Sequence, residues 1–398
     1  NASLPILAAS LLFDKPVTIK NLPRVRDINT MLNLLKSLGS VIRLSKDRKT
    51  VIIHNKKNIK KTFASYSLVK TMRGSILVLG PLVAKYHKSK TSLPGGCLIG
   101  ARPVNYHLGA LEQLGMNYKI KDGYILAKSK GKLKGTNINF PKISVGATEN
   151  SIIAACLSKG KTTLKNCAIE PEIKDLTNFL NSAGAKIKWS RRTCKITGVN
   201  SLNTIEYSVM PDRIEAGTFC VAATLNKGEL EIENLNPKII NTELNLLKKI
   251  GAKIKLDKGK IFLKGPKKIK SVKNIKTGEF PGIPTDLQAQ LMVLMCIADG
   301  KSSITENIFE NRFMHVAELQ RLGAKINIKN NTAFIEGNTK FIGAELMSSD
   351  LRASVALVLA STVANGKSII NRIYHLDRGY EKIENKLKQI GVKIRRLK

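Results

Sequence analysis

The feature that most constrains this chain is a phrase it repeats six times. A helical segment ends in Leu-x-x-Leu, Ile or Ala and then Gly, and a stretch alternating apolar and basic residues follows. The glycines are Gly39, Gly115, Gly184, Gly251, Gly323 and Gly391, separated by 76, 69, 67, 72 and 68 residues. Glycine at the end of a helical period closes a helix in the left-handed conformation. The period-two run behind it, as in Ala252-Lys-Ile-Lys-Leu256, is that of a half-buried strand. A second phrase is interleaved, an Ala-rich helix, a turn and a short strand around Gly160, Gly228, Gly300 and Gly366. Each repeat thus holds two helices and three or four strands, far more than a solenoid repeat, and six of them make two α/β domains of three, residues 1–211 and 212–398. The opening apolar residues have no basic segment before them, so they read as a helix of the first repeat rather than a signal peptide. That repeat's leading strand is expected before Asn1.

Charge is the next constraint. With 67 basic and 29 acidic side chains the net charge is +38, which raises nucleic-acid binding as a function class. However, 51 of the basic residues are Lys and 16 are Arg, the wrong balance for bidentate reading of bases or phosphates. Aromatic residues, needed for stacking on single strands, are only 5%. Both domains are basic, with 35 basic and 10 acidic residues up to Pro211 against 32 and 19 beyond it, so no basic arm stands apart. The charge reads as solvated surface lysine of the kind an A·T-rich genome writes, and no nucleic-acid partner is expected. Nor is a membrane, since no run reaches the roughly 18 uncharged apolar residues a span needs. The six cysteines stand singly, without a Cys-x-x-Cys pair or a Cys/His group at ligand spacing. That points to reduced thiols in a cytoplasmic protein, with no metal, no cofactor and no evident obligate protein partner.

Chemistry concentrates in a few segments. Ser92 to Pro103 holds three glycines and two prolines, which predicts a mobile loop carrying Cys97 and Arg102. A thiol with an ordinary pKa near 8.5 can give up a proton at neutral pH or act as a nucleophile. Cys156, Cys220 and Cys296 lie in apolar helices and read as core. Because Arg is scarce, an Arg beside Gly, Pro or Asp is informative: Arg73, Arg102, Arg312, Arg352 and Arg378 fall at corresponding junctions of different repeats. If they converge, they make a site for a polyanionic small molecule, since planar forks pair carboxylate and phosphate in two bonds each. Singly, each is equally an ordinary surface ion pair. Asp212 and Asp286 each follow Pro closely at a helix start, and both are open to two readings, a helix cap or a working acid or base. Ser144 to Thr148 offers hydroxyls and backbone donors at a helix N-terminus, suited to phosphate.

These segments are also those through which the chain resembles the enolpyruvyl transferases, and among them the branch that uses UDP-N-acetylglucosamine. They are Leu93-Pro-Gly-Gly-Cys97 with Gly100-Ala-Arg-Pro103, Pro211-Asp-Arg-Ile-Glu215, Pro284-Thr-Asp-Leu-Gln-Ala-Gln290, Glu310-Asn-Arg-Phe-Met-His315 and Ile373-Tyr-His-Leu-Asp-Arg-Gly-Tyr380. The likeness spans essentially the whole chain, and the Cys97 loop separates it from the shikimate-using relative, whose pattern lacks that thiol.

The resemblance implies two inside-out α/β domains, each of three βαβαββ-like units, with substrates bound between them. It implies transfer of the enolpyruvyl group of phosphoenolpyruvate to the 3′-hydroxyl of UDP-N-acetylglucosamine, with release of phosphate, as the first committed step of peptidoglycan synthesis. Cys97 resembles the proton donor to the methylene carbon and the thiol that the epoxide fosfomycin would label, and Asp286 the base near the 3′-hydroxyl. Asn1, Arg102, Arg352 and Arg378 resemble the phosphoenolpyruvate site. Arg73, Arg102, Pro103, Val104, Asn105, Tyr106, Lys142, Ile143, Ser144, Val145, Asp286 and Ile308 resemble the nucleotide-sugar site. Two departures stand out. The Lys that the family carries directly before the residue matching Asn1, with the strand preceding it, lies outside this chain, so the chain as given is expected to lack one cation and one edge strand and to be nearly inactive. Asn105 stands where the family usually carries Asp.

Overall fold

The computed structural model describes residues 1–55, 61–70, 72–93 and 104–397. They fall into two compact units, the described residues up to Met210 and those from Pro211 onward. All six repeat glycines adopt positive φ, between 92° and 113°. Gly251 shows the reason: it ends the helix Asn241–Ile250 with its N–H on the carbonyls of Leu247 and Lys248, a left-handed turn that strains any residue with a Cβ. The alternating run after each of the first five glycines forms the outer arm of a hairpin. Met116–Lys121, for example, pairs antiparallel with Tyr124–Ser129 through Asp122-Gly123, both at positive φ, as a tight hairpin turn requires.

The sixth repeat departs from expectation, because residues 392–397 form no strand. In the other repeats an antiparallel return strand holds this segment, and after Gly391 the described residues provide none. Val392 and Ile394 pack instead on the small cluster containing Tyr380, Ile383 and Leu387.

Each unit places helices inside and sheets outside. In the first unit the central helices are α1 (Ser3–Ala9), α2 (Leu79–Tyr86) and α3 (Val145–Ala155); in the second they are α4 (Arg213–Leu225), α5 (Gln288–Ile297) and α6 (Leu351–Thr362). Nine of the ten residues of α5 and nine of the eleven of α3 are buried, as befits helices enclosed on all sides. Small residues let them approach. A Cβ on Gly80 of α2 would lie 2.2 Å from Asn150 Oδ1 on α3, and the Gly80 N–H donates to that oxygen at 2.8 Å. The strands bury alternate residues against these helices; in Thr193–Thr197, Cys194 and Ile196 face inward.

In the first unit each sheet has four strands and begins with a parallel pair. One of those pairs joins distant sequence: Glu206–Ser208 lies parallel to Val17–Lys20, so the end of the unit completes the sheet of its beginning. The second unit has a three-stranded, a four-stranded and a two-stranded sheet among the described residues.

Candidate active site

In the second unit, chemistry gathers at the N-terminal ends of α4, α5 and α6. Pro284 leads into a single 3-10 turn, Thr285–Leu287, that runs directly into α5. Asp286 sits on this turn and makes no cap. Its Oδ1 accepts from Arg312 Nη2 at 2.6 Å and its Oδ2 from Arg352 Nη2 at 2.8 Å. Both guanidiniums are buried, at 6% and 7% exposure, while Asp286 is half-buried. Two buried cations thus share one carboxylate that keeps access to solvent. Asp212 and Asp350, by contrast, are caps. Asp212 Oδ1 accepts from the N–H groups of Ile214 and Glu215 on α4, and Asp350 Oδ1 from those of Arg352 and Ala353 on α6. The cap reading thus fits Asp212, whose charge also acts on Arg352, and does not fit Asp286, which binds arginines.

Neighbouring groups hold this arrangement. Buried Glu306 accepts from Thr277 Oγ1 and the Ile308 N–H through Oε1, and from Thr285 Oγ1 through Oε2, all at 2.8 Å. It thereby ties the loop bearing Ile308 to the turn bearing Asp286. Burial works against the Arg352 charge, but Asp286, Tyr380 and Asp212 more than offset it and raise its pKa above the ordinary value. Buried His315 has its pKa lowered to about 4, by burial first and by Arg312 in addition, against the pull of Asp350; it is neutral at pH 7. Half-buried Arg378 ends the 3-10 turn Ile373–Arg378. The next residue, Gly379, approaches Leu351 so closely that a Cβ would lie 2.8 Å from Leu351 Cδ2, which seats this turn against the start of α6.

In the first unit a second constellation forms around His107. Asn150 Nδ2 donates to the Ile76 carbonyl at 3.1 Å and lies 3.2 Å from His107 Nδ1. An amide nitrogen has only protons to offer, so Nδ1 accepts and the His107 proton sits on Nε2. A Cβ on Gly146 would lie 3.0 Å from His107 Cε1, so the imidazole rests on the first turn of α3. Burial lowers the His107 pKa to about 3, with Arg73 adding to the effect. Ser144 caps α3, accepting from the Ala147 N–H at 3.4 Å. Lys142 and Val145 are exposed and Ile143 and Ser144 half-buried on the approach to that helix. Asn105 is exposed at the start of the helix Asn105–Gln113, which carries His107, while half-buried Val104 and Tyr106 pack on the core. Arg73 opens the 3-10 turn Arg73–Val78. Asn1 is exposed at the head of α1. Cys97, Arg102 and Pro103 lie outside the described residues.

Sequence reasoning missed His107, Asn150, Glu306 and His315 as members of these clusters. A signal existed only for His107 and His315, which are two of five His in the chain. Among the described residues there is no group of three or more His, Cys, Asp or Glu that could hold a metal ion, and no helix is long and apolar enough to cross a membrane.

The EPSP synthase (3-phosphoshikimate 1-carboxyvinyltransferase) family model matches residues 1–387. A protein of Pelagibacter ubique named UDP-N-acetylglucosamine 1-carboxyvinyltransferase is 64% identical over 398 residues, covering 100% of this chain and 94% of its own. One of the same name from Pseudoalteromonas atlantica is 50% identical, with 100% and 95% covered. Among solved structures, the enolpyruvyl transferase NikO of Streptomyces tendae superimposes with a TM-score of 0.87 at 22% identity over 99% of this chain and 93% of its own. EPSP synthase of Acinetobacter baumannii gives 0.76 at 18% over 98% and 94%. The repeat architecture, the carboxylate held by two arginines and the full-length likeness agree: this chain belongs to the EPSP synthase (3-phosphoshikimate 1-carboxyvinyltransferase) family and is a transferase.

Proposed function

We propose that the chain transfers the enolpyruvyl group of phosphoenolpyruvate to the 3′-hydroxyl of UDP-N-acetylglucosamine and releases phosphate, in the cytoplasm, at the entry to peptidoglycan synthesis. The observation that carries this reading is 64% identity over the entire chain to a protein named for that reaction. The five described cysteines, all unpaired and buried, suit a reducing compartment.

The chemistry asks for one acid, one base and fixed positive charge. Protonation of the methylene carbon makes the adjacent carbon electrophilic. The 3′-oxygen attacks that carbon as it loses its proton, and the tetrahedral adduct then expels phosphate and a methyl proton to restore the double bond. Cys97 is assigned as the acid and Asp286 as the base. Arg102, Arg352 and Arg378, with Asn1, grip phosphoenolpyruvate; guanidinium forks aimed at its carboxylate and phosphate stabilise charge in the adduct. Arg73, Arg102, Pro103, Val104, Asn105, Tyr106, Lys142, Ile143, Ser144, Val145, Asp286 and Ile308 are assigned to the nucleotide sugar. Residues 1–211 form the domain carrying the Cys97 loop and residues 212–398 the second domain.

Phosphate release measured with each substrate omitted in turn tests the reaction. Release requires both substrates, and Cys97→Ser keeps the fold but loses most turnover, because a hydroxyl is a far weaker acid than a thiol. Release without UDP-N-acetylglucosamine would overturn the reading.

A further inference from the structure

Arg352 has two faces to its environment. Nη2 is committed to Asp286, and Nη1 donates to the hydroxyl of Tyr380 at 3.3 Å. That hydroxyl lies 2.8 Å from Thr218 Oγ1, and Gln290 Nε2 lies 3.1 Å from Thr218 Oγ1 and 3.5 Å from the Tyr380 oxygen. Tyr380, Thr218 and Gln290 are 2%, 1% and 0% exposed, so no bulk solvent competes for these bonds.

Counting protons fixes the direction of every bond. Thr218 owns one hydroxyl proton, and it goes to the Ile214 carbonyl one turn back on α4 at 2.8 Å. Between Thr218 and Tyr380 the donor must therefore be Tyr380. The opposite choice would aim the phenol proton at Arg352 and Gln290, which have only protons to present there. Gln290 cannot be turned over either, because its Nε2 also donates to the Asp286 carbonyl at 3.0 Å. The result is a one-way chain from the Arg352 guanidinium to the Tyr380 oxygen, from the phenol proton to Thr218, and from Thr218 to the backbone of α4. The Tyr380 lone pairs face the Arg352 cation at 3.3 Å, with the Gln290 amide beside it at 3.5 Å. Burial raises the Tyr380 pKa, so the phenol keeps the proton this chain needs.

We infer that Tyr380, oriented by Thr218 and Gln290, is a positioning residue that fixes the plane of the Arg352 guanidinium for its anionic substrate. The inference rests on the reading that Arg352 grips phosphoenolpyruvate. A guanidinium anchored at one nitrogen by Asp286 alone can swing about that bond. Anchored at a second nitrogen by Tyr380 it cannot, and its fork is presented in one orientation. The ring contributes separately, since the Arg352 guanidinium carbon lies 5.8 Å from its centroid; Phe at this position keeps that packing and loses only the hydroxyl.

The test is steady-state kinetics for both substrates, with thermal midpoints, on Tyr380→Phe, Thr218→Val, Thr218→Ser, Arg352→Lys and the double variant Tyr380→Phe/Arg352→Lys, each made in the full chain. Tyr380→Phe is expected to raise KM for phosphoenolpyruvate roughly tenfold, the scale of one hydrogen bond to a charged group, and to leave KM for UDP-N-acetylglucosamine within about twofold. Thr218→Val moves the same parameter in the same direction, and Thr218→Ser, which keeps the oxygen, restores it. In the Arg352→Lys background, Tyr380→Phe adds less than about twofold, as expected for residues that act as one unit. If Arg352→Lys impairs phosphoenolpyruvate use while Tyr380→Phe does not, or if Tyr380→Phe weakens both substrates alike with a lowered midpoint, the positioning role is wrong. If Arg352→Lys itself leaves phosphoenolpyruvate kinetics unchanged, the reading beneath it fails, and the inference with it.

Discussion

The two units bury polar groups at the N-terminal ends of packed helices by opposite means. In the second unit the groups are charged and matched: Asp212 and Asp350 cap α4 and α6, and Asp286 holds Arg312 and Arg352. Around α3 in the first unit they are neutral. Ser144 caps α3 with a hydroxyl, His107 is held without charge, and buried Glu149 on α3 has its pKa raised to about 8, by burial first and then by Glu172 and Glu170. Matched charge in a buried site stays fixed over the physiological range, whereas a group held neutral by burial titrates when pH crosses its shifted pKa. The second unit therefore keeps its paired arginines charged over that range. The first holds neutral groups around α3, and buried Glu149 makes its stability depend on pH.

The largest effect expected from breaking this contrast is at Asp286. Asp286→Asn leaves the side chain's shape but removes the charge shared by Arg312 and Arg352. Turnover should fall by a hundredfold or more, the scale of a lost acid–base group. Two buried guanidiniums deprived of the carboxylate they share should also destabilise the fold by about 3 kcal/mol, the low end for a broken buried pair, because Asp286 itself is partly exposed and Asp212 still acts on Arg352. Steady-state rates and urea midpoints measure both. A variant with normal stability and normal turnover would remove Asp286 from the base and the anchor role alike.

Sequence could carry part of this contrast and not the rest. The six glycines are legible because a left-handed helix end leaves one residue type free of strain, and their spacing gives the repeat directly. Asp212 and Asp286 are not separable by sequence. Both lie within two residues of a proline at a helix start, and only the direction from which Arg312 and Arg352 approach decides which carboxylate caps and which binds arginine. Glu149 gives no warning, since it sits in an Ala-rich segment where a carboxylate would normally be on the outer face. The pairing of Glu206–Ser208 with Val17–Lys20 depends on a return across nearly two hundred residues, which no local pattern encodes. Tyr380 lies in a recognisable segment, but its role depends on a proton count at Thr218 that needs coordinates.

A smaller effect sharpens the contrast through pH. An acid whose folded-state pKa lies above its unfolded value contributes stability that is full below about 4.5 and is lost as pH rises through about 8. For Glu149 the loss is roughly 5 kcal/mol once both states are ionised. Glu149→Gln cannot ionise, so between pH 5 and 8 its thermal midpoint should lose far less than that of the parent. His107 works from the other side. Its depressed pKa contributes stability that is full above about 6.5 and is lost as pH falls toward about 3. Equal slopes for parent and Glu149→Gln between pH 5 and 8 would mean that Glu149 is not the titrating group.

The smallest effect lies on the outer sheets, at two cross-strand pairs of opposite kind. In the first unit Lys188 stands directly opposite Lys195 in the hairpin Lys186–Ser190 with Thr193–Thr197, and Lys161 and Lys186 are exposed nearby. In the second, Glu229 stands opposite Lys264 and its carboxylate lies 2.6 Å from the lysine nitrogen. Like charges facing each other across a strand pair repel, and opposite charges attract weakly. Lys188→Glu should therefore stabilise the first unit by about half a kcal/mol at low salt, and Glu229→Lys should move the second unit the other way. Neither change should alter turnover, since both residues lie on solvent-facing strands away from the helix ends that carry Asp286 and His107. Salt gives the decisive control: raising ionic strength shortens the screening length to a few ångströms, so both effects should shrink together at 1 M salt. A gain from Lys188→Glu that persists at 1 M salt would show that the residue acts through packing rather than charge, and the excess lysine of the first unit would then carry no electrostatic cost on this sheet.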